Sequence, residues 1–159
     1  MIERILIYII VFLIGFLSCM LVGVLVAETE IPFDIGIDLT NAEAPGDWVE
    51  ESQIHIYENA VVIDVDGASL SRYAPTGSMV PILDEDSNGI RIVPENEEDI
   101  EVGDIITFEQ DNQLIVHRVS EKGEDSEGVY FITKGDNNNI TDGKIRFEDV
   151  RYVTIGIIW

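Results

Sequence analysis

Cysteine is almost missing from this chain: Cys19 is the only one, and it stands inside an apolar run. No intrachain disulfide can form, and a zinc site built on thiolates is excluded. Basic residues are scarce too, with 9 Lys and Arg against 31 Asp and Glu and a formal net charge of -22. Phosphate binding depends on clustered Lys and Arg, so this composition argues against nucleic acid as a partner. Histidine is limited to His55 and His117. Internal repeats, low-complexity tracts and convincing amphipathic helices are absent.

One long hydrophobic run is present. Residues 5–26 carry no charge and consist mostly of Ile, Leu, Val, Phe and Gly. At about 1.5 Å of rise per residue, about 20 such residues cross a bilayer core. A cleavable signal peptide has an apolar region of only about 7–15 residues and a small-x-small cleavage site. Leu25-Val26-Ala27 is a poor match to that site. Residues 1–27 therefore read as a retained N-terminal transmembrane helix. Arg4 precedes the run, while Glu28, Glu30, Asp34 and Asp38 follow it with no Lys or Arg before Arg72. The positive-inside rule then predicts a single-pass protein of the cell membrane, with its N-terminus in the cytoplasm and its bulk outside.

Residues 28–52, acidic and with only short apolar pieces, read as a spacer. From residue 53 to 159 short β-branched runs alternate with turn residues, which predicts a mainly β domain. The expected strands cover residues 54–57, 60–65, 89–93, 104–108, 114–119, 129–133 and 152–158. Turn chemistry stands between them at Asp66-Gly67, Ser87-Asn88-Gly89, Asp111-Asn112 and Gly135-Asp136-Asn137. Asp84 to Gly89 followed by Glu95 has the oxygen spacing of a calcium loop, but Pro81 and Pro94 bracket it where helices should stand. It reads as an acidic turn, and no metal is expected. Asn139-Ile140-Thr141 is a glycosylation sequon, not expected to carry a sugar.

Ser78 lies in Thr76-Gly77-Ser78-Met79-Val80-Pro81, and His117 lies on the alternating run Leu114 to Val119. A serine hydroxyl needs a neighbouring base to become a nucleophile, and a histidine base works best when a carboxylate fixes its tautomer. Each residue taken alone has a simpler reading, Ser78 as a turn residue and His117 as a histidine on an apolar sheet face.

The order of the motifs changes that balance. Thr76 to Pro81, Gly103-Asp104-Ile105-Ile106, His117-Arg118-Val119 and Thr133-Lys134-Gly135-Asp136-Asn137-Asn138 resemble the boxes of type I signal peptidases, in the archaeal and endoplasmic-reticulum branch. The bacterial branch carries a lysine where this chain has His117. The resemblance implies a signal-peptidase and LexA-like β core tethered by one N-terminal transmembrane helix, cleaving exported preproteins after small residues without a cofactor. It implies Ser78 as nucleophile, His117 as general base and Asp142 or Asp136 as the residue that orients His117, with Asp142 preferred. The Ser78 N–H and Thr76 would stabilise the oxyanion, and Tyr73, Ala74 and Pro75 would line the edge to which an extended substrate adds. Signal peptides of preproteins, membrane lipid and the secretion translocon are the implied partners. Two other readings stay open: a catalytically silent, membrane-anchored β module that binds exported peptides or a protein partner, and a self-cleaving or regulatory serine protease with the same core, whose chemistry would want a lysine base although Lys122, Lys134 and Lys144 all sit in loop-like contexts.

Overall fold

The computed structural model describes residues 44–159. The expected anchor and residues 28–43 of the expected spacer lie outside the described residues, among which no helix is long and apolar enough to cross a membrane. Nine strands follow one another: β1 (Ile54–Ile56), β2 (Val61–Ile63), β3 (Ser69–Arg72), β4 (Asn88–Ile92), β5 (Ile105–Gln110), β6 (Gln113–Asp125), β7 (Gly128–Lys134), β8 (Lys144–Ile145) and β9 (Val150–Ile158). Helical structure among the described residues is confined to short 3-10 turns at Glu51–Gln53, Glu97–Asp99 and Phe147–Asp149. The described chain is mainly β.

β1 and β2 form a separate antiparallel hairpin, and the remaining seven strands make one antiparallel sheet in the order β3-β4-β9-β5-β6-β7-β8. The last strand is thus the bridge between the β3–β4 pair and the β5–β8 meander. Successive side chains of a strand point to opposite faces. Ile106 and Phe108 enter a hydrophobic cluster with Ile100, Val119, Phe131 and Val153, while Ile105, one residue out of phase, joins Met79 and Leu83 in a second. Residues Ile105 to Phe108 are all buried, so both faces of this strand are covered and its apolar residues do not alternate with exposed polar ones.

The β5–β6 hairpin turns on Asp111 and Asn112, whose φ values of 52° and 60° suit the twist of the flanking strands. β6 serves two partners in succession. Its residues Gln113 to Arg118 pair with β5, and Arg118 to Asp125 pair with β7. On the side away from β5, Gln113 to His117 therefore have no partner strand among the described residues.

Several elements differ from the pattern-based expectation. β3 and β8 were not anticipated: Ser69-Leu70-Ser71-Arg72 is mostly polar, and β8 has only two residues. β6 continues through Ser120 to Asp125, whose polar character resembles a loop. Asn88 is strand rather than turn, Gly89 is in the strand expected from it onward, and the turn sits earlier, where the buried Ser87 donates to Asp84 Oδ1 at 2.7 Å. That hydrogen bond holds the Asp84 carboxyl below its usual range. Lys122, Lys134 and Lys144 lie on strands, not in loops.

The end of the expected spacer is fastened to the domain. Asp104, 1% exposed, accepts from Gly46 N at 2.9 Å, Trp48 Nε1 at 3.0 Å and Glu101 N at 2.9 Å. A buried carboxylate stands only where donors replace its water, and here two of the three come from residues 46–48. Trp48 also packs against the larger hydrophobic cluster.

Candidate active site

The loop between β3 and β4 presents Ser78. Gly77 just before it takes φ 70°, a left-handed conformation that side-chain-bearing residues rarely adopt. No atom lies within 4 Å of where its Cβ would be, so the glycine answers a backbone requirement, not a close approach. Beyond Ser78 the chain turns at once, with Ile82 N and Leu83 N donating to Met79 O at 2.9 Å. Met79 and Leu83 are buried in the second hydrophobic cluster. The apolar half of the motif thus pins the turn while Ser78 faces outward.

The segment after β7 clasps this turn. Asn137 N donates to Ser78 O at 2.8 Å, Asn137 Nδ2 donates to Gly77 O at 3.0 Å, and Asp136 N approaches Met79 Sδ at 3.5 Å. The clasp requires glycine at 135. A Cβ there would meet Ser78 O at 2.6 Å, closer than any carbon tolerates.

His117 sits on β6 at the point where the strand passes from β5 to β7. Its ring is mostly buried and lies 6.4 Å from the Phe108 ring, tilted by 58°. His117 Nδ1 is 2.6 Å from Asp142 Oδ2, the length of a charge-assisted contact. A carboxylate can only accept, so in a neutral His117 ring this contact assigns the proton to Nδ1 and leaves the lone pair on Nε2. Thr133 donates its hydroxyl to the same Asp142 oxygen at 2.7 Å.

The two candidate orienting aspartates are separated by geometry. Asp136 is gripped by Arg118, whose Nε and NH2 donate to its two oxygens at 2.8 Å each. The third arm of Arg118 reaches Gly103 O at 2.7 Å. Asp136 therefore joins β6 to the clasp, and Asp142 is the carboxylate on His117.

Ser78 and His117 line one cleft of about 350 Å³, together with Tyr73, Ala74, Thr76 and the unpaired stretch of β6. Pro75 does not line it. In a chain rich in acidic residues, no Lys, Arg, Asp or Glu among the described residues lines it. Ser78 Oγ shares a hydrogen bond with Thr76 Oγ1 at 3.2 Å, and Ser78 N points at the same oxygen at 3.4 Å. It makes no hydrogen bond to His117. Tyr73 packs on the second cluster, with its hydroxyl 3.4 Å from Thr154 Oγ1. His55 lies on the exposed strand β1, outside this cleft. Lys122 donates to Glu98 O and Lys144 to Asp125, and none of the three candidate lysine bases lines the cleft.

Thr133 and Arg118 had no assigned role on sequence grounds. Both stand inside the quoted motifs, but a hydroxyl or guanidinium near a carboxylate is too common in an acidic chain to single out. Comparison with protein families, with curated proteins and with solved structures finds no match to this chain.

Proposed function

We propose that this chain is a membrane-tethered serine peptidase of the signal-peptidase type, removing signal peptides from exported preproteins. The observation that carries the reading is the cleft shared by Ser78 and a His117 whose Nδ1 is held by Asp142 at 2.6 Å. In that arrangement Nε2 takes the proton of Ser78 Oγ as the oxygen attacks the scissile carbonyl, and His117 later passes the proton to the leaving amine. The oxyanion would be met by the Ser78 N–H and the Thr76 hydroxyl, which must first give up their contact with each other, where the N–H donates to Thr76 Oγ1 at 3.4 Å. Water then hydrolyses the acyl-enzyme ester by the same route in reverse.

The cleft also suits an extended peptide. The open side of Gln113 to His117 offers main-chain donors and acceptors for β-addition, and Tyr73 and Ala74 line the cleft with it. An uncharged lining favours small neutral side chains around the scissile bond. The residue 1–27 anchor and its charge bias support a site on the outer side of the membrane, with lipid and the translocon as neighbours.

One observation favours a silent peptide-binding module: Ser78 Oγ is bonded to Thr76 and not to His117. Catalytic hydrogen bonds are often looser before substrate arrives, so the contact leaves the peptidase reading the stronger of the two. The deciding experiment is cleavage of a radiolabelled preprotein by membranes carrying the full-length wild type or single variants at matched abundance. Ser78→Ala and His117→Ala should abolish processing above background. Asp142→Asn should lower the rate by about 10⁴-fold, the cost of presenting the wrong histidine tautomer. Processing by Ser78→Ala at the wild-type rate, or none by the wild type, would establish the binding-module reading instead.

A further inference from the structure

We infer that Thr133 is a positioning residue for the base, acting through Asp142; the inference rests on the peptidase reading for its kinetic meaning, but not for its structural one. Thr133 is fully buried, at 0% exposure, on β7 opposite Val119, two residues from His117 along β6. It holds Asp142 at two points. Its carbonyl accepts from Asp142 N at 2.7 Å, and its hydroxyl donates to Asp142 Oδ2 at 2.7 Å. The same oxygen accepts from His117 Nδ1 at 2.6 Å.

The chemistry of this clamp is specific. Asp142 lies on the segment between β7 and the two-residue strand β8, so regular sheet pairing does little to fix it. An aspartate side chain turns freely about its terminal torsion unless its oxygens are bonded. The Thr133 main chain fixes where the Asp142 backbone stands, and its hydroxyl fixes how the carboxylate is rotated. With both donors on one oxygen, the lone pairs of Oδ2 face His117 and Thr133 together. The imidazole is thereby held with its proton on Nδ1 and Nε2 toward the cleft. Thr133 is not among the residues lining the cleft, and its hydroxyl is bonded to Asp142, so its effect passes through that carboxylate.

The test compares Thr133→Val, Thr133→Ser and wild type in the full-length protein, by two readouts. The first is peptide cleavage: Thr133→Val should lose about 10- to 100-fold in kcat with KM unchanged, and Thr133→Ser, which keeps the hydroxyl, should stay within about threefold of wild type. The second is independent of turnover. The downfield proton resonance of His117 Nδ1–H, assigned with His117→Ala, should persist in wild type and Thr133→Ser and broaden in Thr133→Val through faster exchange with water. Equal behaviour of the valine and serine variants in both readouts overturns the inference. If the wild type cleaves nothing, the peptidase reading has failed, and the proton resonance alone still decides whether Thr133 holds the His117–Asp142 pair.

Discussion

Ser78, His117 and their aspartate are brought together by residues that perform no chemistry themselves. Gly135 is the clearest case, because its missing side chain is the space into which the Ser78 carbonyl fits. Gly135→Ala should push the Ser78 loop outward, costing about 1–3 kcal/mol of stability and, on the proposed peptidase reading, lowering cleavage by about 100-fold. A cleavage assay run beside a urea melt separates the two effects, and unchanged activity would mean that the loop relaxes around the methyl group. The sequence carried the Ser78 motif, the histidine and Asp136 inside ordered boxes, with Asp142 four residues beyond the last of them. It preferred Asp142 over Asp136 without showing what occupies Asp136, because that depends on Arg118 reaching across from β6. Replacing Asp136 with Asn should therefore act chiefly on stability, by about 1.5–3 kcal/mol for the lost charged hydrogen bonds, and less on the rate than Asp142→Asn.

Among the elements, β8 is short enough to need help. Asp125 at the far end of β6 accepts from Lys144 Nζ at 2.6 Å and from Arg146 NH2 at 2.9 and 3.0 Å, while Lys144 lies 4.0 Å over the Tyr130 ring. Arg146 NH1 adds bonds to Gly128 O and Val129 O at 2.9 and 3.1 Å. The Lys144 hydrogen bond first, then the Glu127 N–H and Arg146, hold the Asp125 carboxyl far below its usual range. Its pKa is lower in the folded state, so its contribution is complete above the ordinary carboxylate value of about 3.9 and drains away as pH falls toward the depressed one. Asp125→Asn should melt below wild type at neutral pH, and the gap should close in strong acid. A gap that stayed constant with pH would rule out this ion-pair cluster as its source. Strands with alternating or continuous apolar residues were readable in the sequence, whereas β3, β8 and the polar half of β6 were not. Their stability comes from cross-strand partners such as Asp125 with Lys144, which a local pattern does not display.

Across the molecule, the Gly103-Asp104 motif is an attachment point and not part of the cleft. Asp104→Ala would leave the N–H groups of Gly46, Trp48 and Glu101 without their acceptor. A stability loss on the order of 3 kcal/mol and new protease cleavage near residues 46–49 should follow, measurable by urea denaturation and limited proteolysis. Resistance to both would mean that Trp48 packing alone holds the segment. No local signal in the sequence revealed this docking, since acidic residues around Gly46 look like solvated spacer. The strand order was equally hidden, because alternation assigns strands without naming their neighbours. Ser78 belongs to the β3–β4 part of the sheet and His117 to the β5–β8 part, and β9 joins the two. On the proposed peptidase reading, that order also means that the serine and the histidine are both synthesised before residues 150–158, and until β9 pairs with β4 and β5 the Ser78 loop has the Asn137 clasp and the Met79–Leu83–Ile105 cluster to join it to the histidine's side of the sheet.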